Sequence, residues 1–291
     1  MNKNKEKNNY IFYIRCYNND INHFGNYQRG YLCVKMYLNK SSENLMKRIF
    51  EEMSYLIEKN ELLTPQTNFP DWLIKQYDYW NETVGNKEFP CHFGTQSENN
   101  GSLRYSYIEN DNYTLLPEVL REFLALSKNN PRRRHALVLF IEPEENKDLK
   151  YYNEKFWSIL NYLHENDNEE WPDSWTNDPD DVNWEFIFDR EPIFVSANMP
   201  AYQNRKTRNL GECQILIFQP RRIFNGISED TKSGSKAISM IRDKVENIEG
   251  MPTHPDLGGY GNTHEWKQYV ISDDNKSETG KCPFMYKYSK Q

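Results

Sequence analysis

Phe89-Pro90-Cys91-His92-Phe93-Gly94 sets a cysteine directly after a proline and between two aromatic residues. Pro90 fixes its own φ and restricts Phe89, while Gly94 permits a tight turn, so the thiol can be both held and desolvated. A thiol held in this way is a candidate soft metal ligand. The same residue types also describe a cysteine that packs as a small buried hydrophobe, and both readings stand at this level.

Other chemistry-bearing residues are dispersed. Cys16, Cys33, Cys91, Cys213 and Cys282 are an odd number without CxxC spacing, which indicates neither a disulfide framework nor a zinc ribbon and suits a reducing cytosol. Asn130-Pro131-Arg132-Arg133-Arg134 is a basic knot in an acidic chain, and Arg221-Arg222 follows Gln219-Pro220. Each is either a solvated loop or a fork for anionic groups. Between Glu165 and Trp184 the chain is dense in carboxylates and tryptophans, with Glu169, Glu170, Asp173, Asp178, Asp180 and Asp181 among Trp171, Trp175 and Trp184. That mixture would meet a cationic guanidinium, and it equally describes a solvated acidic face. In Thr253-His254-Pro255-Asp256-Leu257-Gly258-Gly259-Tyr260-Gly261, three glycines beside a histidine and a tyrosine describe a loop whose backbone approaches something closely. There is no Walker loop and no strand-turn-helix GxGxxG, which argues against nucleotide enzymes.

Composition narrows the classes. A net charge of -7 argues against a protein that holds nucleic acid, because phosphate binding needs a concentrated basic footprint. The 20 Tyr, 15 Phe and 7 Trp suit a chain that wraps a flat apolar cofactor, and also an ordinary aromatic core. Residues 1–9 are rich in Lys and Asn and have no apolar segment of a signal peptide, so they read as a disordered tail. No apolar run reaches bilayer length, and the expectation is a cytoplasmic protein without membrane contact.

Phe89-Pro90-Cys91 with Phe93-Gly94, then Leu103-Arg104-Tyr105, resembles the signature of the YqcI/YcgG family. Trp171-Pro172, Trp184-Glu185-Phe186, Ile215 to Pro220, Ile241-Arg242, Glu265 with Gln268-Tyr269, and Cys282-Pro283-Phe284 follow in the family's order. The resemblance implies a haem-dependent guanidine N-hydroxylase, of the kind found in guanitoxin and cycloserine biosynthesis. It implies haem b as cofactor, with Cys91 thiolate as the proximal iron ligand and Phe89 and Phe93 shielding the sulfur. Arg104, Arg134 and Arg221 are then candidate partners of the haem propionates. His254 is the alternative iron ligand, although the family often has Asn at its position. The implied partners are a guanidine or amine substrate, dioxygen or peroxide, and a reductase. The alternative is a haem-binding or metal-binding protein without oxygenase activity, for which Cys91, His92, His254, His264 and Cys282 supply soft ligands without a zinc signature.

The elements that must position these residues follow from periodicity. Tyr10 to Cys16 and Gly30 to Tyr37 each read as a short strand or an irregular segment, and Leu45 to Ile57 recur at helical spacing after Ser42. Asp71 to Trp80, Pro117 to Leu126, Lys150 to His164 and Ser235 to Val245 read as helices, the last ended by Gly250. Leu103 to Ile108, His135 to Ile141 and Cys213 to Phe218 read as strands, and Trp184 to Phe188 with Pro192 to Ser196 as a hairpin turning at Asp189-Arg190. No repeat or linker divides the chain, so residues 10–291 are expected to form one α+β domain, a mixed β-sheet with helices packed against it.

Overall fold

The computed structural model describes residues 10–15, 27–28, 31–36, 56–64, 69–227 and 231–285. Strands β1 (Tyr10–Arg15), β2 (Tyr27–Gln28) and β3 (Tyr31–Met36) form a small antiparallel sheet in the order β1-β3-β2; β1 and β3 take the strand alternative of the sequence reading, which has no element at β2. Most of the helix expected after Ser42 lies outside the described residues. Its final residue is extended: Ile57 exchanges both backbone hydrogen bonds with Tyr105 at 2.9 Å.

The body of the protein is an α+β arrangement around a five-stranded mixed sheet. Helices α1 (Lys59–Leu62), α2 (Asp71–Val84) and α3 (His92–Asn99) precede β4 (Arg104–Ile108). Then come α4 (Leu116–Asn129), β5 (Leu137–Ile141), α5 (Leu149–Glu165), β6 (Phe186–Phe188), β7 (Glu191–Asn198) and β8 (Gln214–Pro220). Helices α6 (Lys232–Glu249) and α7 (Glu265–Tyr269) complete the described elements. The strands lie in the order β4-β5-β8-β7-β6, with β4 and β5 parallel and the other pairs antiparallel. The parallel pair needs a crossover, which α4 supplies.

Local chemistry explains the ends. Pro117 sits in the first turn of α4, where its missing N–H costs nothing. Asp148 caps α5 by accepting the Tyr151 N–H at 2.8 Å. Thr231 caps α6 by accepting the Gly234 N–H, and Gly250, at φ +70°, ends that helix in the left-handed region. The sequence reading misses α3, whose Gly94, Thr95, Ser97 and Asn99 are weak helix formers; tertiary contacts hold it instead.

β5 is buried on both faces, and alternation splits its residues between two cores. Leu137, Leu139 and Ile141 join Leu120, Phe123, Phe156 and Leu160 of α4 and α5. Val138 and Phe140 join Leu73, Tyr77, Trp80 and Val84 of α2 on the opposite face. No helix among the described residues is long and apolar enough to cross a membrane.

The β6–β7 hairpin turns at Asp189 and Arg190, with φ of +50° and +60°. Two left-handed residues are what a tight antiparallel connection needs, and glycine adopts that conformation without steric penalty. Arg190→Gly should raise the unfolding free energy by about 0.5–1 kcal/mol, read from the midpoint of denaturant unfolding, and a lowered midpoint would refute it.

Candidate functional site

On the face of Val138 and Phe140, α2 closes the β4–β5 side of the sheet. Toward β8 and β7 the same face opens into a cavity of about 720 Å³. Strand register sets its floor. Val138, Ile217 and Ser196 fall in one row, and Gln219 with Phe194 in the next. Its roof is α6, from which Ile238, Ile241, Arg242 and Val245 reach the cavity. The apolar members of that set have the spacing of a core stripe, yet none of the three is fully buried. The stripe faces the open volume.

Phe89, Pro90, Cys91, Phe93 and Gly94 close one end. Cys91 is the N-cap of α3, and its Sγ accepts the Gly94 N–H at 3.4 Å. Burial pushes the Cys91 thiol up, and the backbone N–H groups of Gly94 and Phe93 pull it back. Arg134 stands beside it, with Cζ 5.3 Å from the Phe93 ring centroid and Nη2 donating to the Asn225 carbonyl at 3.3 Å.

Five of the seven residues expected to bind a cofactor therefore line one cavity: Phe89, Cys91, Phe93, Arg134 and Arg221. Arg104 and His254 are not among its lining residues. Arg104 pairs with Glu58 at 3.0 Å and donates to the carbonyls of Gly101 and Leu103. His254 is buried behind the cavity wall, with Nδ1 accepting the Asp256 N–H at 3.2 Å and Nε2 facing Ser272 Oγ at 3.0 Å. Burial lowers its pKa, so the neutral ring engages partners through both nitrogens. His92 is exposed, His264 Nε2 meets the Asp180 carbonyl, and Cys282 packs against the α4–α5 core. Among the described residues, no group of three or more His, Cys, Asp or Glu is gathered as a metal site.

The acidic segment from Glu169 to Trp184 does not reach the cavity either. Trp171 and Trp184 pack around Phe284, with Trp184 at 5.2 Å between centroids. The loop after His254 does reach the cavity, since Gly258, Gly259 and Tyr260 line it, and a Cβ on Gly258 would lie 2.6 Å from Thr263 Cγ2. The carboxylates that do line the cavity are Glu249, paired with Arg205, and Glu265, which shares Arg221 with Glu185. Sequence reasoning names Glu185 and Glu265 within family motifs and assigns neither a role in the site. Their signal is an isolated acid flanked by residues that are otherwise buried and aromatic, in Trp184-Glu185-Phe186 and Glu265-Trp266.

A second missed residue holds α3 in place. Glu98, fully buried, receives four donors: Tyr77 Oη at 3.1 Å and Lys59 Nζ at 2.9 Å on Oε1, Trp80 Nε1 at 3.0 Å and Tyr105 Oη on Oε2. Burial first, then the charge of Glu98, pushes both phenols up, so they remain donors. α1, α2 and β4 thus converge on the helix that begins at Cys91. A glutamine amide cannot substitute, because its NH₂ would meet either the indole N–H or the lysine ammonium, neither of which accepts. Glu98→Ala and Glu98→Gln should each cost about 3–5 kcal/mol in denaturant unfolding, whereas Tyr77→Phe should cost about 1 kcal/mol. Equal stability of Glu98→Gln and the parent would refute the four-donor arrangement.

Comparisons with known proteins agree with this geometry in extent. The chain is 33% identical over 244 residues to YqcI of Bacillus subtilis (strain 168), covering 80% of this chain and 95% of that protein. It is 34% identical over 232 residues to YcgG of the same organism, covering 76% and 91%. A third relative, from Streptomyces lavendulae, bears the name "Putative N(omega)-hydroxy-L-arginine synthase DcsA"; it is 27% identical over 208 residues, covering 68% and 78%. No solved structure gives a significant match. The family model described as the YqcI/YcgG family matches residues 80–285, which run from α2 through the cysteine end wall, the sheet and the α6 roof, and the chain belongs to that family.

Proposed function

We propose that the cavity holds a b-type haem with the Cys91 thiolate as proximal ligand, and that the protein N-hydroxylates a guanidine or amine nitrogen of an arginine-like small molecule. The observation that carries this reading is the pairing of Cys91 at the cavity's end with the apolar stripe of α6 turned onto the same open volume. A volume of about 720 Å³ lies within the range of cofactor and ligand sites. The name of the Streptomyces relative supports the guanidine chemistry.

The residues fit such a group. Cys91 offers a sulfur that accepts from the Gly94 N–H at 3.4 Å and lies beside the Phe93 N–H. Phe89 and Phe93 keep water from that sulfur, and Arg134 is placed for a propionate. Bound haem supplies oxygen activation, which an electron-rich thiolate ligand favours. The protein must first release the Cys91 proton. Burial opposes this, and the charge of the metal together with the α3 N-terminus favours it. The sheet floor and α6 then exclude bulk water and hold the substrate nitrogen. Inserting one oxygen atom into an N–H bond takes dioxygen with a pair of electrons from a reductase, releasing water, or takes peroxide alone.

Absorption spectra of protein expressed with a haem precursor test the assignment. The reduced carbonyl form should show the red-shifted Soret band of a thiolate ligand, and Cys91→Ala should lose it. Incubation with L-arginine and an oxidant should yield a product heavier by one oxygen atom. A histidine-type carbonyl spectrum, or one unchanged in Cys91→Ala, would overturn the ligand.

A further inference from the structure

The cavity is cationic within an acidic chain. Among the described residues, five arginines line it against two carboxylates, Glu249 and Glu265, while the whole chain carries a net charge of -7. Both carboxylates are already engaged. Glu249 pairs with Arg205 at 2.8 Å and accepts the Thr207 N–H, and Glu265 shares Arg221 with Glu185. Low-dielectric walls focus the remaining positive charge into the open volume.

Arg208 is where that charge meets no carboxylate. Its partners among the described residues are backbone carbonyls: Nη1 donates to Ala197 at 3.2 Å and to Tyr269 at 3.5 Å, and Nη2 donates to Gln268 at 3.4 Å. The last two distances are at the edge of hydrogen bonding. Burial lowers the pKa of Arg208 against the pull of Tyr202 and Glu249, but a guanidinium keeps its proton even so. Of its five N–H donors, Nε and one on Nη2 are left. That is the edge through which Arg221 grips Glu185, with Nε at 2.8 Å and Nη2 at 2.6 Å. Arg208 is only partly buried and lines the cavity, and its Nε, without a partner among the described residues, stays open to solvent.

Arg208 also stands apart from the thiol. Arg134 precedes β5 and Arg221 follows β8 at the end of the sheet where Cys91 lies. Ala197, whose carbonyl Arg208 holds, is three residues along β7 from Phe194, which faces Gln219 at that end, so the two ends are on the order of 10 Å apart. We infer that Arg208 receives a carboxylate of the small molecule in the cavity through this free edge, and that the cavity therefore selects free acids over the corresponding amines, esters and amides. A bidentate guanidinium–carboxylate pair supplies both the strength and the geometry for that choice. Where the proposed function names the nitrogen that reacts, Arg208 selects the far end of the same molecule, an assignment that rests on reading the cavity as a small-molecule site. Decarboxylated arginine, and arginine held within a peptide, are then poor ligands.

Calorimetric titration with 5-guanidinopentanoate and its neutral counterpart 5-guanidinopentanamide tests the receptor. The purified protein, as expressed and haem-loaded, should bind the acid at least about tenfold more tightly than the amide. Arg208→Gln should erase that ratio by weakening the acid while leaving the amide within about twofold, and Arg208→Lys, which keeps the charge and loses the fork, should retain a reduced ratio. Failure of the acid to bind, or equal binding of acid and amide by the unaltered protein, overturns the receptor. So does an unreduced ratio in either folded variant, or equal weakening of acid and amide in Arg208→Gln. A ratio present without haem and lost on loading gives the free edge to a haem propionate and overturns its assignment to the small molecule. Acid preference without a thiolate spectrum or an oxygenated product supports the receptor and fails only the proposed reaction.

Discussion

Glu98 is the interaction on which the site depends. Its carboxylate lies out of water, where an unmade hydrogen bond is expensive, and four donors from α1, α2 and β4 converge on it. Such a buried cluster contributes modestly to net stability compared with apolar packing, but it permits few alternative arrangements. The consequence is positional. α3 is short and poor in helix-forming residues, so its axis is set by where Glu98 must lie, and the axis in turn sets the direction of Cys91.

The opposite wall follows the same logic with different chemistry. α6 carries an apolar stripe but does not seat it against the sheet, and what fixes its lower end is the Arg205–Glu249 pair, both side chains 1% exposed. Thr207 donates its backbone N–H to the same carboxylate at 3.2 Å, while Asp273 gathers the N–H groups of Asn204 and Arg205 at 2.9 and 3.0 Å. His254 and Ser272 complete this junction. Polar contacts therefore hold the roof at a distance that direct apolar packing would have closed, and the cavity is the space they preserve.

Much of the architecture is legible in the sequence, because the physics behind it is local. The α2, α4, α5 and α6 stripes, the Pro117 start and the Gly250 stop all follow from periodicity and capping, and the mixed sheet follows from how its strands alternate with helices. Cys91 is legible from its neighbours Pro90 and Gly94. What is not legible depends on contacts remote in sequence. Nothing near Glu98 announces Tyr105 or Lys59, nothing near Arg221 announces Glu185 and Glu265, and the engagement of both His254 nitrogens becomes visible only once Ser272 and Asp256 are in place. The acidic run near Trp175 misleads for the same reason: density of charge along a chain says little about which single carboxylate folding buries.

The strand order β4-β5-β8-β7-β6 has a consequence in time. β5 and β8 are hydrogen-bonded neighbours, but the whole stretch from Glu142 to Cys213 is synthesised between them. A chain leaving the ribosome completes the Glu98 cluster and the β4–β5 pair early, and then carries β5, apolar on both faces, with one edge bare until β8 arrives. Closing that long loop slows the final pairing, and a bare apolar edge is the surface on which chains stick to one another. The cavity floor is complete only when that edge is covered, and the α6 roof, which follows β8 in the chain, can enclose the binding volume only after it.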